Sequence, residues 1–472
     1  MVTAVLVVVF EVLGVISAVH AVMSTRTSQG AIAWAVSLVT LPYVAVPAYW
    51  VFGRSKFQGY VLARRSADDR TDPIEDRIIE SLDAYRVPEA DRLEATSAAE
   101  GLADMPVLRN NSVELLIDGD ATFESILTGI EQAEEYVLVQ FYIVRDDDLG
   151  RALKDRLIAK AREGLRVFFL YDEIGSHALS ARYIADLREA GVDIREFNTR
   201  KGRRNRFQLN FRNHRKIVVT DGRVAWIGGH NVGDEYLGKD PKFGHWRDTH
   251  VRIEGPAVLK AQISFAEDWY WATNEVPGLS WEAKPASNGG DARVLIIPTG
   301  PADDLETCNL MFVHAISTAQ ERIWIASPYF VPEHSVIVAL QLAGLRGVDV
   351  RILIPDNPDH LLVYLAAYSY FDDAGRTGAK FYRYQDGFLH EKAMLIDDQV
   401  ATVGTANFDN RSFRLNFEIT AAVGDPAFIA EVEQMFENDF ARSRLMEEGE
   451  YDRKPWWFRL GVKLARLTAP IQ

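Results

Sequence analysis

The sequence predicts an α/β protein with two similar halves, which form a pseudo-twofold pair of mixed, mainly parallel sheets flanked by helices. A transmembrane helical hairpin is predicted to precede them. Three observations lead to this fold class. Two apolar stretches occupy residues 2–23 and 30–52, a strand–helix–strand pattern occurs twice in the remaining chain, and one polar motif occurs twice at the same spacing.

Composition excludes several classes of protein. The 472 residues include 52 Lys and Arg against 67 Asp and Glu, a formal net charge of −15, which disfavours nucleic acid as a partner. Cys308 is the single cysteine, so neither an intrachain disulfide nor a cysteine-based zinc site can form. A disulfide-stapled scaffold is therefore excluded.

Each apolar stretch has about the ~20 residues that a helix needs to cross a bilayer. A cleaved signal peptide is the alternative, but Glu11 interrupts the first stretch, no basic residue precedes it, and the second stretch follows directly. Between the stretches lies Arg26. Basic residues follow the second stretch at Arg54, Lys56, Arg64 and Arg65. By the positive-inside tendency, we expect a multi-pass protein of the inner membrane, with the short turn outside and the chain after residue 53 in the cytoplasm.

The two halves are predicted from matching strand and helix patterns. Strands are expected within 133–144 and 164–172 of the first half, and within 319–331 and 347–356 of the second, each pair separated by a helical pattern. Such strand–helix–strand units are typical of parallel sheets. The predicted domains are a transmembrane hairpin at 1–53, a connecting region at 54–112, a first half at 113–285, a second half at 290–446, and an amphipathic C-terminal segment at 447–472.

The doubled polar motif is the strongest functional signal. In each copy Lys follows His by two positions, Asp by seven, Gly by fourteen and Asn by seventeen. The copies are His214, Lys216, Asp221, Gly228 and Asn231, and His390, Lys392, Asp397, Gly404 and Asn407. Of the ten histidines, only His214 and His390 have Lys at the second following position. A chance origin of both copies is therefore improbable.

The spacing indicates the chemistry. His and Lys two apart on a strand point to the same face, so facing halves would bring two His, two Lys and two Asn around a tetrahedral anion. One imidazole of such a pair can attack the phosphorus of a phosphodiester, and the other can protonate the leaving oxygen. Lys216, Lys392, Asn231 and Asn407 would bind the phosphate oxygens, and Asp221 and Asp397 are predicted to tie loops. The scheme needs no metal and no cofactor, and the sequence contains neither an HExxH motif nor a P-loop.

The two copies resemble the HKD motif of the phospholipase D superfamily. With GGHNVGDEYLG at 228–238, NRSFRLNFE at 410–418 and the ending PWWFRLGVKLARLTAPIQ, the chain from about residue 110 is similar to the bacterial cardiolipin synthase family. The resemblance implies transfer of a phosphatidyl group from one phosphatidylglycerol to the head group of another, with release of glycerol. It also implies that His214 is the nucleophile and His390 the general acid and base. Asp248 and Glu418 are candidates to orient these histidines.

Several alternatives stay open at this point. Water as the acceptor would make the protein a membrane-bound phospholipase D or other phosphodiesterase, and phosphatidylethanolamine competes with phosphatidylglycerol as second substrate. Expected partners are phosphatidylglycerol, other anionic membrane lipids and the membrane itself; a homo-oligomer is left open. The basic stretch at 200–213 is expected to meet lipid head groups, and the C-terminal segment either to lie at the membrane or to pack on the body. Gly229 stands where the second copy has Thr405, so one side lacks a hydroxyl donor.

Overall fold

The computed structural model describes residues 2–53, 56–64, 78, 80–201, 210–447 and 449–471. The central part of the basic stretch, residues 202–209, lies outside the described residues, and so do Arg54 and Arg65. The described chain forms a group of N-terminal helices beside a large α/β body.

The N-terminal segment contains α1 (Val2–Ser24), α2 (Ser28–Thr40) and α3 (Pro42–Phe52). At ~1.5 Å per residue α1 is about 35 Å long, enough for a hydrocarbon core of ~30 Å. Residues Val5–Ser24 are strongly apolar, and α1 is the one helix in the described part of the chain that is long and apolar enough to cross a membrane. The predicted second span, 30–52, is instead divided between α2 and α3. Pro42 disfavours helical geometry at the residue before it, and Leu41 accordingly has φ −134° and ψ 55°.

Helices of the body cover both faces of its sheet. They are α4 (Glu94–Ala103), α5 (Asp118–Gln132), α6 (Asp148–Arg162), α7 (Ala181–Glu189), α8 (Val258–Thr273), α9 (Thr307–Thr318), α10 (His334–Leu345), α11 (Leu361–Gly375), α12 (Asn410–Arg414), α13 (Pro426–Ala441) and α14 (Trp456–Arg466).

Most strands belong to one continuous sheet. The strands are β1 (Leu108–Ile117), β2 (Tyr136–Phe141), β3 (Arg166–Asp172), β4 (Asp193–Phe197), β5 (Arg212–Asn213), β6 (Ile217–Thr220), β7 (Val224–Gly228), β8 (Trp246–Arg247), β9 (Thr249–Glu254), β10 (Ala292–Thr299), β11 (Arg322–Ala326), β12 (Phe330–Val331), β13 (Asp349–Pro355), β14 (Lys380–Tyr384), β15 (Phe388–Leu389), β16 (Ala393–Ile396), β17 (Val400–Gly404), β18 (Phe408–Asp409), β19 (Asn416–Gly424) and β20 (Ser443–Leu445). The sheet order is β20-β14-β13-β11-β16-β17-β19-β10-β1-β9-β7-β6-β2-β3-β4.

The sheet is mixed, and its parallel strands lie near the two ends of this order. There β2 pairs with β3 and β3 with β4, and β11 pairs with β13 and β13 with β14. The expected strand–helix–strand units are present, with α6 between β2 and β3 and α10 between β11 and β13. The remaining pairs along this order are antiparallel, so the prediction of mainly parallel sheets is wrong. The reason is local: tight turns at Asp221 and Asp397 reverse the chain immediately, and each motif continues as an antiparallel hairpin.

The predicted connecting region contributes to the core of the body. Phe57 is fully buried, with its ring centroid 5.0 Å from that of Trp271, and the Tyr60 hydroxyl donates to Asp268 Oδ1 at 2.8 Å. Strand β1 begins at Leu108, before the expected boundary at 113. The described residues ahead of 113, among them Phe57, Tyr60 and the start of β1, are thus part of the packed structure rather than a linker.

Helix α14 packs on the body, which is one of the two alternatives considered for the C-terminal segment. Val462 and Ala465 are buried on the side that packs against α11. Trp456 and Trp457, in contrast, are 71% and 62% exposed. One face of the helix therefore packs on the body, and a second apolar face is left uncovered.

Candidate active site

The two motif copies lie in extended segments that lead into central strands. His214 and Lys216 lie between β5 and β6, and His390 and Lys392 between β15 and β16. Strand β5 pairs with β19, which follows the second copy of the motif, and β15 pairs with β8, which follows the first copy. Each segment is therefore held by a strand that follows the other copy. The backbone N–H of His214 donates to the Phe417 carbonyl at 2.9 Å, and that of His390 to the Arg247 carbonyl at 2.8 Å.

Each of these backbone contacts places a histidine beside a carboxylate, because Glu418 follows Phe417 and Asp248 follows Arg247 in the chain. His214 Nδ1 lies 2.9 Å from Glu418 Oε2, and His390 Nδ1 lies 2.7 Å from Asp248 Oδ2. Both carboxylates are fully buried, and both histidines are 8% exposed. The partners are crossed: the first motif's histidine contacts the acid that follows the second motif, and the reverse holds for the other pair. Because Nδ1–H donates to a carboxylate, the Nε2 lone pair of each neutral ring remains available for chemistry.

The two carboxylates are supported differently. Glu418 accepts hydrogen bonds from the Thr405 hydroxyl at 2.6 Å, the Ser412 hydroxyl at 2.8 Å and the Asn416 amide at 3.1 Å. Asp248 Oδ1 accepts the backbone N–H of Thr249 at 2.8 Å.

Gly229, which occupies in the first copy the position of Thr405 in the second, explains part of this difference. A Cβ on Gly229 would lie 1.9 Å from Asp248 Oδ1, far inside van der Waals contact. The hydroxyl donor is absent on this side because the carboxylate itself occupies the space of a side chain. Gly229 is therefore required by the close approach of Asp248.

Burial and charge set the protonation of the site. Burial lowers the pKa of His214 and of His390 to about 4, so both rings are neutral in the unliganded site near pH 7. Burial also lowers the pKa of Lys216 to about 7 and that of Lys392 to about 8. The charge of Lys392 further lowers the pKa of both His214 and Lys216, so the two motif copies act on each other across the site.

The lysine chains fold back on their own segments. Lys216 Nζ donates to the carbonyl of His214 at 2.6 Å, and Lys392 Nζ donates to the carbonyl of His390. Both amino groups are thus held beside the histidines that they accompany, as expected for residues two apart in an extended chain.

The two asparagines have different surroundings. Asn231 Oδ1 accepts the N–H of Ile143 at 3.0 Å, and its amide donates to the Tyr236 hydroxyl at 3.0 Å, so both ends of this side chain have protein partners. The side-chain oxygen of Asn407 is buried and has no hydrogen-bond partner in the described part of the chain. Phosphate binding by either asparagine stays a prediction.

Asp221 and Asp397 lie at the far ends of the hairpins, away from the histidines. Asp221 accepts the backbone N–H groups of residues 134, 135 and 136 at 2.7–2.9 Å. Asp397 accepts those of residues 320, 321 and 322, the last two at 2.8 and 2.9 Å. Both residues have positive φ, 54° and 49°, which Asp tolerates better than most residues. Each carboxylate thus ties its hairpin to the start of a neighbouring strand.

We expect Asp397→Asn to lower stability by about 2 kcal/mol, because three N–H groups lose a charged acceptor while Asn still permits the positive φ. Thermal unfolding of the purified protein in detergent should show a lower Tm. Asp398→Asn is the matched control, since that side chain is 80% exposed and its ion pair contributes little. An equal Tm for both variants would contradict a structural role for Asp397.

Two aromatic residues beside the histidines were not singled out from the sequence. The ring of Tyr142 lies 5.0 Å from that of His214, and the ring of Trp246 lies 5.1 Å from that of His390. Lys216 Nζ lies 5.5 Å from the Tyr142 ring. Trp246 stands two residues before Asp248, a position from which a neighbour of the acid could have been inferred.

Comparison with known proteins identifies the family. The family model described as "Cardiolipin synthase, PLD-like domain" matches residues 126–269 and 312–440, and a phospholipase D-nuclease N-terminal model matches residues 12–54. Cardiolipin synthase A of Pseudomonas fluorescens is 49% identical over 99% of this chain and 98% of its own. The chain belongs to the cardiolipin synthase family.

As a member of the cardiolipin synthase family, the chain is a phosphatidyltransferase of the phospholipase D superfamily. Cardiolipin synthase A of Pseudomonas aeruginosa is 50% identical over 98% of this chain and 94% of its own. Solved structures show the same fold at low identity. Phosphatidylserine synthase from Haemophilus influenzae has a TM-score of 0.59 at 15% identity, covering 80% of this chain and 100% of its own. Polyphosphate kinase from Porphyromonas gingivalis has a TM-score of 0.51 at 13% identity, covering 80% and 55%.

Proposed function

We propose that the protein makes cardiolipin by transferring a phosphatidyl group from one phosphatidylglycerol to the head-group hydroxyl of another, with release of glycerol. The observation that carries the proposal is the pair of buried histidines, each with Nδ1 on a buried carboxylate. Relatives of about half-identical sequence carry the name cardiolipin synthase A. Phosphatidylglycerol and other anionic membrane lipids are then the partners.

In the first step, Nε2 of His214 attacks phosphorus. A P–N bond forms, the bond from phosphorus to the glycerol head-group oxygen breaks, and His390 as imidazolium gives its Nε2 proton to that oxygen. The negative phosphodiester raises the pKa of His390 above its value in the unliganded site, because an opposite charge favours the protonated ring. The product is a phosphatidyl-histidine and free glycerol.

In the second step, His390 works in reverse. The neutral ring accepts the proton of a head-group hydroxyl on a second phosphatidylglycerol, the hydroxyl oxygen attacks phosphorus, and the P–N bond breaks. Cardiolipin leaves and His214 is restored. Lys216 and Lys392 stabilise the charge on the phosphate oxygens, with Asn407 as a further contact.

The unequal support of the two acids favours this division of roles. Glu418 accepts three side-chain hydrogen bonds, which fix it on Nδ1 of His214. Asp248 accepts one backbone N–H and lies 4.0 Å from Lys392 Nζ, and its negative charge stabilises an imidazolium at His390, the form that a general acid needs. His214, beside the better-satisfied acid, is left as the nucleophile.

The proposal also includes the layout of the chain. Residues 113–285 and 290–446 act as two halves related by a pseudo-twofold axis, and the catalytic site lies between them. Helix α1 anchors the protein in the cytoplasmic membrane, with the catalytic body on the cytoplasmic side. The basic residues Arg26, Lys56 and Arg64 close to the ends of the apolar helices support this orientation.

The lysines predict how activity depends on pH. Lys216 must be charged to stabilise phosphate, and it loses its charge as pH rises through a pKa of about 7. His390 must take up a proton to act as the general acid, so kcat/KM, which reports the free enzyme, already falls about tenfold per pH unit above the His390 pKa of about 4. We expect this alkaline limb to become steeper from near pH 7, where Lys216 loses its charge. An arginine at position 216 stays charged over the whole pH range. For Lys216→Arg, the loss of activity that follows from loss of a lysine charge should therefore begin near pH 8, because the pKa of Lys392 is about 8. The measurement is the shape of the pH profile of kcat/KM, not the absolute rate. Lys380→Arg, on the surface, is the control. An unchanged profile for Lys216→Arg would contradict the role of the Lys216 charge in binding phosphate.

The experiment that tests the function uses phosphatidylglycerol with labelled head-group glycerol and the purified full-length protein in detergent micelles. Cardiolipin and free labelled glycerol in equal amounts are expected. Phosphatidic acid with labelled glycerol but no cardiolipin would show that water is the acceptor and would overturn the transferase. A parallel reaction with added phosphatidylethanolamine reports which head group accepts.

A further inference from the structure

The second apolar stretch does not run the length of α1. Gly14, in the middle of α1, is approached by both α2 and α3: a Cβ placed on it would lie 2.4 Å from the Leu38 carbonyl oxygen and 3.1 Å from Pro42 Cβ. The junction between α2 and α3 at Leu41 is therefore beside the midpoint of α1, not beside its far end. The absence of a side chain at Gly14 permits this contact.

From that junction α3 returns along α1. The Tyr49 hydroxyl is 2.6 Å from His20 Nδ1, and Trp50 Nε1 donates to Ser17 Oγ at 3.0 Å. Residues 49 and 50 thus lie beside the C-terminal half of α1. Since α2 starts beside the C-terminal end of α1, α2 and α3 form a short helical hairpin with both of its ends at one end of α1.

Both ends of this short hairpin are attached to the catalytic body. In the turn before α2, Arg26 forms an ion pair with Glu306 at 2.5 Å. After α3, Phe57 follows Gly53 by four positions, so the two residues lie at most ~14 Å apart. Phe57 is fully buried in the body, and its N–H donates to the Pro301 carbonyl at 3.1 Å. The turn at residue 26 and the exit at residue 53 consequently lie on the same side as the body.

We propose that α1 is the only membrane-spanning helix of residues 2–53 and that α2 and α3 form a re-entrant hairpin, which enters and leaves the bilayer on the side of the catalytic body. At ~1.5 Å per residue, α2 and α3 are about 20 and 16 Å long, roughly half of a ~30 Å hydrocarbon core. The hairpin tip is apolar and uncovered, with Leu41 64% and Val44 73% exposed, as suits contact with lipid chains. This topology replaces the two-span hairpin predicted from the sequence and does not depend on the reaction that the site performs.

The lipid-facing surface continues onto the body. A cavity of about 770 Å³ separates Trp34 and Phe52 of the short hairpin from Arg466 and Leu467 at the end of α14. On α14 and the residue after it, uncovered apolar side chains stand near basic ones. The uncovered side chains are those of Trp456, Trp457, Leu460, Leu464 and Leu467. Beside the short hairpin, this face fits the interfacial region of a bilayer with anionic lipids.

Cysteine labelling in membranes tests the topology. The native Cys308 is buried, so the unmodified protein serves as the blank. Ser28→Cys reports the position of the start of α2, and Thr3→Cys that of the start of α1. Ser287→Cys, on an exposed loop, reports the side on which the body lies. Each variant is treated with a membrane-impermeant maleimide in intact spheroplasts and again after permeabilisation.

We expect Ser28→Cys and Ser287→Cys to give the same pattern, with labelling only after permeabilisation, and Thr3→Cys to label in intact spheroplasts. If Ser28→Cys labels from the side opposite to Ser287→Cys, the re-entrant hairpin is overturned. Labelling of Thr3→Cys from the side of Ser287→Cys would show that α1 does not span.

A second measurement tests the topology if a thiol at position 28 is too shielded to react with the maleimide. In the double variant Arg26→Cys with Glu306→Cys, a short bismaleimide should join the two residues in native membranes, detected by mass spectrometry of the linked peptides. Arg26→Cys with Ser287→Cys is the control pair and should not be joined. If the turn were on the far side of the bilayer, residues 26 and 306 could not be joined. Absence of the product that links residues 26 and 306 would therefore contradict the proposal.

Discussion

Cardiolipin formation is expected to fall by a factor of roughly 10⁴ or more when His214 is replaced by alanine. The loss is large because Nε2 of His214 forms the P–N bond, and water cannot substitute for a nucleophile held in place by Glu418. Initial rates of cardiolipin formation from phosphatidylglycerol in micelles measure the effect. His314→Ala is the matched control, since His314 contacts the Glu94 carbonyl on another part of the body.

A related experiment with His390→Ala identifies the nucleophile. His390→Ala removes the proton donor and acceptor but leaves His214 able to bond to phosphorus, so a phosphatidyl-histidine should accumulate with a substrate whose leaving group needs no proton. Mass spectrometry of the digested protein locates the adduct. An adduct on His390 in the His214→Ala variant would reverse the two roles.

Glu418→Gln and Asp248→Asn are expected to reduce kcat by roughly 10³ to 10⁴ each, by analogy with the loss of the acid in a catalytic triad. The amides keep the shape of the acids but remove the negative charge that orients Nδ1–H and stabilises the imidazolium. KM should change far less than kcat, because neither acid is expected to touch the lipid. Both acids are fully buried, so folding must be checked by thermal unfolding of each variant.

Glu437→Gln, on the exposed side of α13, is the control for removal of one carboxylate. The two site variants should also differ from each other. Asp248→Asn is expected to slow the step that needs a proton on the leaving oxygen, so its defect should shrink with a good leaving group, whereas that of Glu418→Gln should persist. Equal defects with both substrates would contradict the division of roles between His214 and His390.

Sequence reasoning reached the central features of the site because they are local. The offset of two between His and Lys, the apolar residues that follow, and the turn at Asp221 or Asp397 are all written within one hairpin. Asp248 and Glu418 contact Nδ1 of the two histidines in the structure. Both acids could be suggested from the short sequences that follow the two motif copies. The supporting hydroxyl of Ser412 could not, because its contact with Glu418 depends on the path of α12.

Features that depend on the arrangement of elements were missed. A periodicity of two predicts a strand but not the direction of its neighbour, so the proportion of antiparallel pairs was underestimated. The stretch 30–52 has the length and composition of a span, but its helix is interrupted at Leu41, directly before Pro42. Phe57 and Tyr60 stand in a largely polar part of the sequence, where two aromatic residues give no periodic signal.

The crossed pairing of histidines and carboxylates has a consequence for how such a chain can evolve. A protein cut near residue 287 would leave His214 in one fragment and Glu418 in the other, and His390 and Asp248 would be separated in the same way. Neither fragment could build one complete histidine–acid pair, so each should be inert alone and active only after the two reassemble. A mutation that shifts one acid therefore acts on the histidine of the other half, and the two halves are expected to evolve together.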